Sequence, residues 1–207
     1  MSSASDIYRN RACLGMPMPL ERHWWVRTLF PTADTYLSQG GADTNYGTSA
    51  DLKVGKCTNW NCNSILTFNL AALPTPFTVV GALFSIYTNY ADGAGTLAID
   101  RLLRTDWVEA EATWNHYKGT TDWGTVGALN AATDYTNVNE VSTPGLAATN
   151  WVTFDLRGQV QYAIDSVSGI AHFLLRDISA VTTVDYAFNS NAAATNKPNL
   201  IVCGYQP

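Results

Sequence analysis

Apolar and polar positions alternate with period two in several short runs along this chain. Leu66, Phe68 and Leu70 alternate with Ile65, Thr67 and Asn69; Val152, Phe154 and Leu156 with Thr153 and Asp155; Val184, Tyr186 and Phe188 with Asp185 and Asn189. A strand turns successive side chains to opposite faces, so each run predicts a strand with one buried face. Two runs, Ala82 to Tyr87 and Ile170 to Leu175, are apolar on both faces, which predicts central strands or strands covered by a loop or a partner. The strands recur at intervals typical of a sandwich. One helix is expected, from Arg157 to Asp165, where Val160 and Ile164 fall one turn apart and Ser166-Val167-Ser168-Gly169 ends the pattern. The expected fold class is therefore all-β: an antiparallel β-sandwich with at most one short helix.

Residues 1–30 do not continue this pattern and are expected to form an extended N-terminal arm, with the domain running over 31–207. Met16-Pro17-Met18-Pro19-Leu20 cannot form a regular ladder, because each proline removes a backbone donor. His23-Trp24-Trp25-Val26 then supplies a dense apolar cluster. Two readings follow: the arm packs on its own sandwich, or it docks on another subunit through Met16, Met18, Trp24 and Trp25.

At 207 residues with 46% hydrophobic side chains, the chain suits one domain with one sizeable core. Charged residues make up 14%, well below the roughly 25% of an average soluble protein, so the surface must be built from uncharged polar groups. The net charge of -5 disfavours a nucleic-acid partner, which needs clustered Lys and Arg. Asp6, Arg9, Arg11, Glu21 and Arg22 interrupt the first thirty residues, which do not read as a secretory leader. The longest apolar run, Phe77 to Tyr87, is too short for a membrane span, so the protein is expected to be soluble as made. Cys57 and Cys62 flank Thr-Asn-Trp-Asn at an expected hairpin tip, where a disulfide and a packed thiol are both open readings. With Cys13 and Cys203 lying far away in sequence, a four-cysteine zinc site is not expected.

Catalysis is not expected either. His23, His116 and His172 are dispersed, and no nucleophile elbow, metalloprotease helix or phosphate-cradling glycine loop is present. Glu109 and Glu111 lie about 7 Å apart if extended, but the remainder of a glycosidase cleft is missing. Trp107, Glu109, Thr113, Trp114 and Asn115 form a tight aromatic and polar group, in which an indole can stack on a sugar or pin a loop. The spacing within the group favours anchoring of a long loop. Asp34, Asp43 and Asn45 make an oxygen-rich candidate calcium site, although Asp and Asn also favour turns for their own sake. No other cofactor is expected.

Read in order, Asp34-Thr35-Tyr36-Leu37, Asp43-Thr44-Asn45-Tyr46-Gly47, Ile65 to Leu70, the Trp107 to Asn115 block, Trp151 to Leu156, Phe173 to Arg176 and Asn196 to Val202 resemble the DNRLRE-type domain. That family is related to the carbohydrate-binding modules found beside alginate lyases and to disaggregatase-related repeats. The resemblance covers about residues 31–207 and implies a β-jelly-roll of the kind attached to extracellular enzymes, surface proteins and phage structural proteins. Joined to a first thirty residues that do not read as a secretory leader, it leads to the expectation of a non-enzymatic virion structural protein, such as a capsid decoration protein or a tail or fibre component, assembled in the host cytoplasm. Its partners would be other virion proteins or copies of itself. The alternative is an extracellular carbohydrate-binding module that recognises a polysaccharide.

Overall fold

The computed structural model describes residues 22–167, 169–179 and 183–207, so Met16 and Met18 lie outside the described residues. The strands are β1 (His23–Leu29), β2 (Ala33–Ser38), β3 (Asp51–Cys57), β4 (Trp60–Asn69), β5 (Thr78–Asp92), β6 (Thr96–Leu102), β7 (His116–Lys118), β8 (Thr121–Asp122), β9 (Tyr135–Pro144), β10 (Asn150–Asp155), β11 (Ile170–Asp177), β12 (Asp185–Asn189) and β13 (Asn199–Gln206), with helix α1 (Arg157–Ser166) between β10 and β11. The expectation of one short helix in an all-β chain is met, and its bounds lie within a residue of those expected. Among the described residues no helix is long and apolar enough to cross a membrane.

One layer runs β1-β13-β5-β10 and the other β2-β4-β11-β6-β9, all pairings being antiparallel, while β12 and β3 carry the hydrogen bonding from the first layer to the second. The alternation read from sequence decides what lies between the layers. Leu66 and Phe68 of β4 and Phe173 and Leu175 of β11 point inward from one side, and Phe84, Ile86, Phe154 and Val202 point inward from the other. Phe84 sits 5.9 Å from Phe68 and 6.3 Å from Phe173, centroid to centroid, so the aromatic contacts cross the interior. Helix α1 closes one end of this core through Val160 and Ala163.

A second apolar cluster occupies the outer face of β4 and β11. Ile65 and Leu174, the neighbours of Leu66 and Phe173, meet Trp107, Trp114, Tyr117 and Trp123 from the connection between β6 and β9. That connection, with the small β7–β8 hairpin inside it, lies as a lid on the sheet. The strand that is apolar on both faces is therefore covered by the chain's own loop, which answers the choice left open for Ile170 to Leu175. The other such run, Ala82 to Tyr87, has no equivalent cover, and Leu83, Ser85 and Tyr87 remain half-exposed.

The N-terminal boundary differs from the expectation. The strand pattern does not wait for residue 31: His23–Leu29 forms β1 on the edge of β13, with Trp25 opposite Gly204 and Trp24 opposite Tyr205. Trp25 and Leu29 pack on the core, and Trp24 meets Tyr205 edge to face at 5.4 Å. The free edge of β13 supplies backbone partners to a segment whose own sequence does not alternate. Cys57 and Cys62 are joined by a disulfide at the β3–β4 hairpin.

Candidate functional site

The Trp107 to Asn115 segment is built by mutual support. Trp107 donates its indole N–H to His172 Nδ1 at 3.3 Å, and Thr67 Oγ1 lies 2.9 Å from the same nitrogen. Accepting that bond keeps the imidazole neutral, and burial lowers the His172 pKa to about 4. Trp123 donates to the Thr113 carbonyl at 2.9 Å, and Thr113 Oγ1 accepts from the His116 amide at 3.0 Å. Trp114 is pinned from above by Gly127: φ is +78° there, and a Cβ would lie 2.6 Å from the indole, so glycine alone permits the approach. Trp107 and Trp114 are 8% and 4% exposed, which leaves neither ring a face to offer a ligand.

The acidic and amide groups near the domain start belong to the same scaffold. Asn45 Nδ2 donates to the carbonyls of Glu109 and Ala112 at 2.6 and 2.8 Å, while its Oδ1 accepts from Gly47 at 3.1 Å. Glu109 Oε1 accepts from the Asp34 amide at 2.7 Å, and Glu111 Oε2 accepts from the Gly119 amide at 2.8 Å. Asp34 is buried and accepts from the Asn191 amide at 2.7 Å; burial raises its pKa to about 6. Asp43 Oδ1 accepts from Asn115 Nδ2 at 2.7 Å. The oxygens of Asp34, Asp43 and Asn45 thus serve three separate sets of N–H donors. Among the described residues no group of three or more His, Cys, Asp or Glu side chains could hold a metal ion.

The open surface lies on the other layer. Along β10, Val152 and Phe154 turn inward while Trp151, Thr153 and Asp155 turn outward. Trp151 is 41% exposed and meets Tyr87 of β5 edge to face at 5.5 Å, which holds its ring against the sheet. One step along the strands, Thr153 Oγ1 lies 2.9 Å from Ser85 Oγ, and Asn199 of β13 sits in register with Ser85 on the far side. On the other flank Asn89 Nδ2 donates to Asp51 and to Asn189 at 2.8 and 2.9 Å, and Tyr90 is exposed. The result is a patch of aromatic rings, hydroxyls and amides centred on β5 and β10 and bordered by β13, β12 and β3. Sequence reasoning did not single out Trp151 as a site residue, yet the signal was present: it shares the polar parity of Thr153 and Asp155.

The family model of carbohydrate-binding module family 96 matches residues 26–204. The chain belongs to that family. A comparison with curated proteins finds no match. The family 96 match starts inside β1 and ends inside β13, so the matched unit is the whole sandwich together with its loop lid. Of the settings implied by the sequence resemblance, the relation to carbohydrate-binding modules is the one the family match supports.

Proposed function

We propose that the chain is a non-catalytic module that binds a polysaccharide on the outer face of β5 and β10, with Trp151 as its stacking ring. The observation that carries this reading is the exposed indole of Trp151, fixed by Tyr87 and bordered by Thr153 and Ser85. A sugar ring presents C–H groups on its face and hydroxyls on its rim. An indole complements the first, and uncharged hydroxyls and amides complement the second without a large desolvation cost. The low charge of the chain fits a surface that meets neutral hydroxyls through such groups.

Isothermal titration and affinity electrophoresis against a panel of neutral and acidic polysaccharides test the assignment. Trp151→Ala should weaken binding to the preferred polymer at least ~10-fold, which corresponds to about 1.4 kcal/mol. Undiminished binding in that variant would refute the assignment of this face. The Cys57–Cys62 bridge supports an extracellular setting, since such bonds persist in oxidising surroundings. A second reading, assembly on other protein subunits as in a virion, draws on one observation: among the described residues β1 is the terminal strand of its layer, paired by β13.

A further inference from the structure

A cavity of about 90 Å³ lies between α1 and the adjoining ends of β6 and β11, away from the Trp151 face. Its walls combine apolar side chains, among them Leu102, Ile170 and Phe173, with Arg101, Gln159 and His172. At roughly 10–15 Å³ for each water-sized occupant, the space suits a body of about six to nine heavy atoms.

Among the described residues two polar atoms in this wall lack partners. Arg101 stacks its guanidinium on Tyr162, 3.6 Å from the ring centroid, and its buried Nε has no hydrogen-bond partner among the described residues. Gln159 is 1% exposed; its Nε2 donates to the Ile99 and Asn139 carbonyls at 3.0 Å each, and its Oε1 is left without a partner among the described residues. A buried donor on a cation is among the costlier groups to leave unmade, and a carboxylate matches the fork of a guanidinium in both charge and geometry. His172 lines the same wall. Its Nδ1 accepts from Trp107, so the ring proton sits on Nε2.

We infer that this cavity is a binding site for a compact monocarboxylate on a largely apolar ring or chain, its carboxylate paired with Arg101 and its body laid along Leu102, Ile170 and Phe173. The Gln159 oxygen is then the acceptor for a water brought in beside the carboxylate. The site is distinct from the polysaccharide face and goes beyond that reading.

Heteronuclear NMR titration of the full chain with cyclohexanecarboxylate, cyclohexylmethanol and glucuronate tests the inference. Cyclohexanecarboxylate should shift the Gln159 side-chain amide and the backbone amides near Tyr162 and Ala171. The uncharged alcohol should bind at least ~10-fold more weakly, the difference of one charge-assisted pair. Arg101→Met should lose the carboxylate to the same extent, and Ile170→Trp, which fills the mouth without touching Arg101, should lose it whether or not the first variant folds. Trp151→Ala should leave this titration unchanged while it weakens polysaccharide binding, so the two sites fail separately. Equal affinity for acid and alcohol, retention in Ile170→Trp, or tighter binding of glucuronate than of cyclohexanecarboxylate would overturn the assignment.

Discussion

Replacing Trp114 by alanine should remove the central weight of the loop lid. The indole is 4% exposed and packs with Ile65 and Leu174 beneath it and Gly127 above. A buried tryptophan removes ~150–250 Å² from water, of which an alanine keeps only a small part. About 150 Å² lost at ~25 cal/mol per Å² gives roughly 4 kcal/mol, within the ~3–5 kcal/mol typical of tryptophan truncations in cores. Rigid neighbours on both sides argue against collapse into the cavity, because β4 and β11 are also held from their inner faces. For a chain of this size, ~2–4 °C per kcal/mol translates the loss into a melting midpoint about 8–16 °C lower. Differential scanning calorimetry measures it directly. Limited proteolysis within residues 103–134 shows whether the lid opens before the sandwich melts. An unchanged midpoint with unchanged protease resistance would refute the anchoring role and return Trp114 to consideration as a ligand-facing ring.

Two buried groups should give stability opposite dependences on pH. His172, lowered from 6.5 to about 4 by burial, is protonated more readily in the unfolded chain, so its effect is to reduce stability as pH falls from about 6.5 to about 4. Asp34, raised from 3.8 to about 6, ionises more readily in the unfolded chain and reduces stability as pH rises from about 4 to about 6. At roughly 1.4 kcal/mol per pH unit, the effect amounts to at most about 3.5 kcal/mol for His172 and about 3 kcal/mol for Asp34. Urea denaturation of His172→Gln and Asp34→Asn across pH 4–7 should give difference curves of opposite slope; parallel curves would contradict the assignment. Chelation should leave the melting midpoint unchanged, since the oxygens of Asp34, Asp43 and Asn45 are held by Asn191, Asn115 and Gly47. A drop on adding EDTA to calcium-loaded protein would show instead that they gather around an ion. Deleting residues 1–22 should leave a folded sandwich, whereas deleting 1–30 strips β1 with Trp25 and Leu29 and should aggregate or melt early, as size-exclusion chromatography and circular dichroism would reveal.

The alternation of Leu66, Phe68 and Leu70, of Val152 and Phe154, and of Tyr186 and Phe188 was sufficient to place strands and to name their inner faces, because a two-residue period is a local property of the backbone. The helix at α1 was legible for the same reason, through a turn's spacing between Val160 and Ile164. Within the Trp107 to Asn115 block only the short-range part, Thr113 with His116 and Trp123, was within reach of the sequence, whereas the partner of Trp107 is His172, 65 residues away on β11.

Three features were decided only in three dimensions. Strand β1 exists because β13, at the far end of the chain, offers an edge to pair with, and nothing in His23-Trp24-Trp25-Val26 announces that partner. Asp34, Asp43 and Asn45 read as one oxygen cluster because they are close in sequence; the fold assigns each to a different donor, from as far away as Asn191. Trp151 and Trp114 look alike in the chain, and their roles diverge because the β6–β9 connection covers one layer while β10 leaves the outer face of the other open to water. Sequence alone determined which residues turn toward which face, a matter of local geometry. Whether a face is covered depends on segments far apart along the chain, and that only the tertiary structure decided.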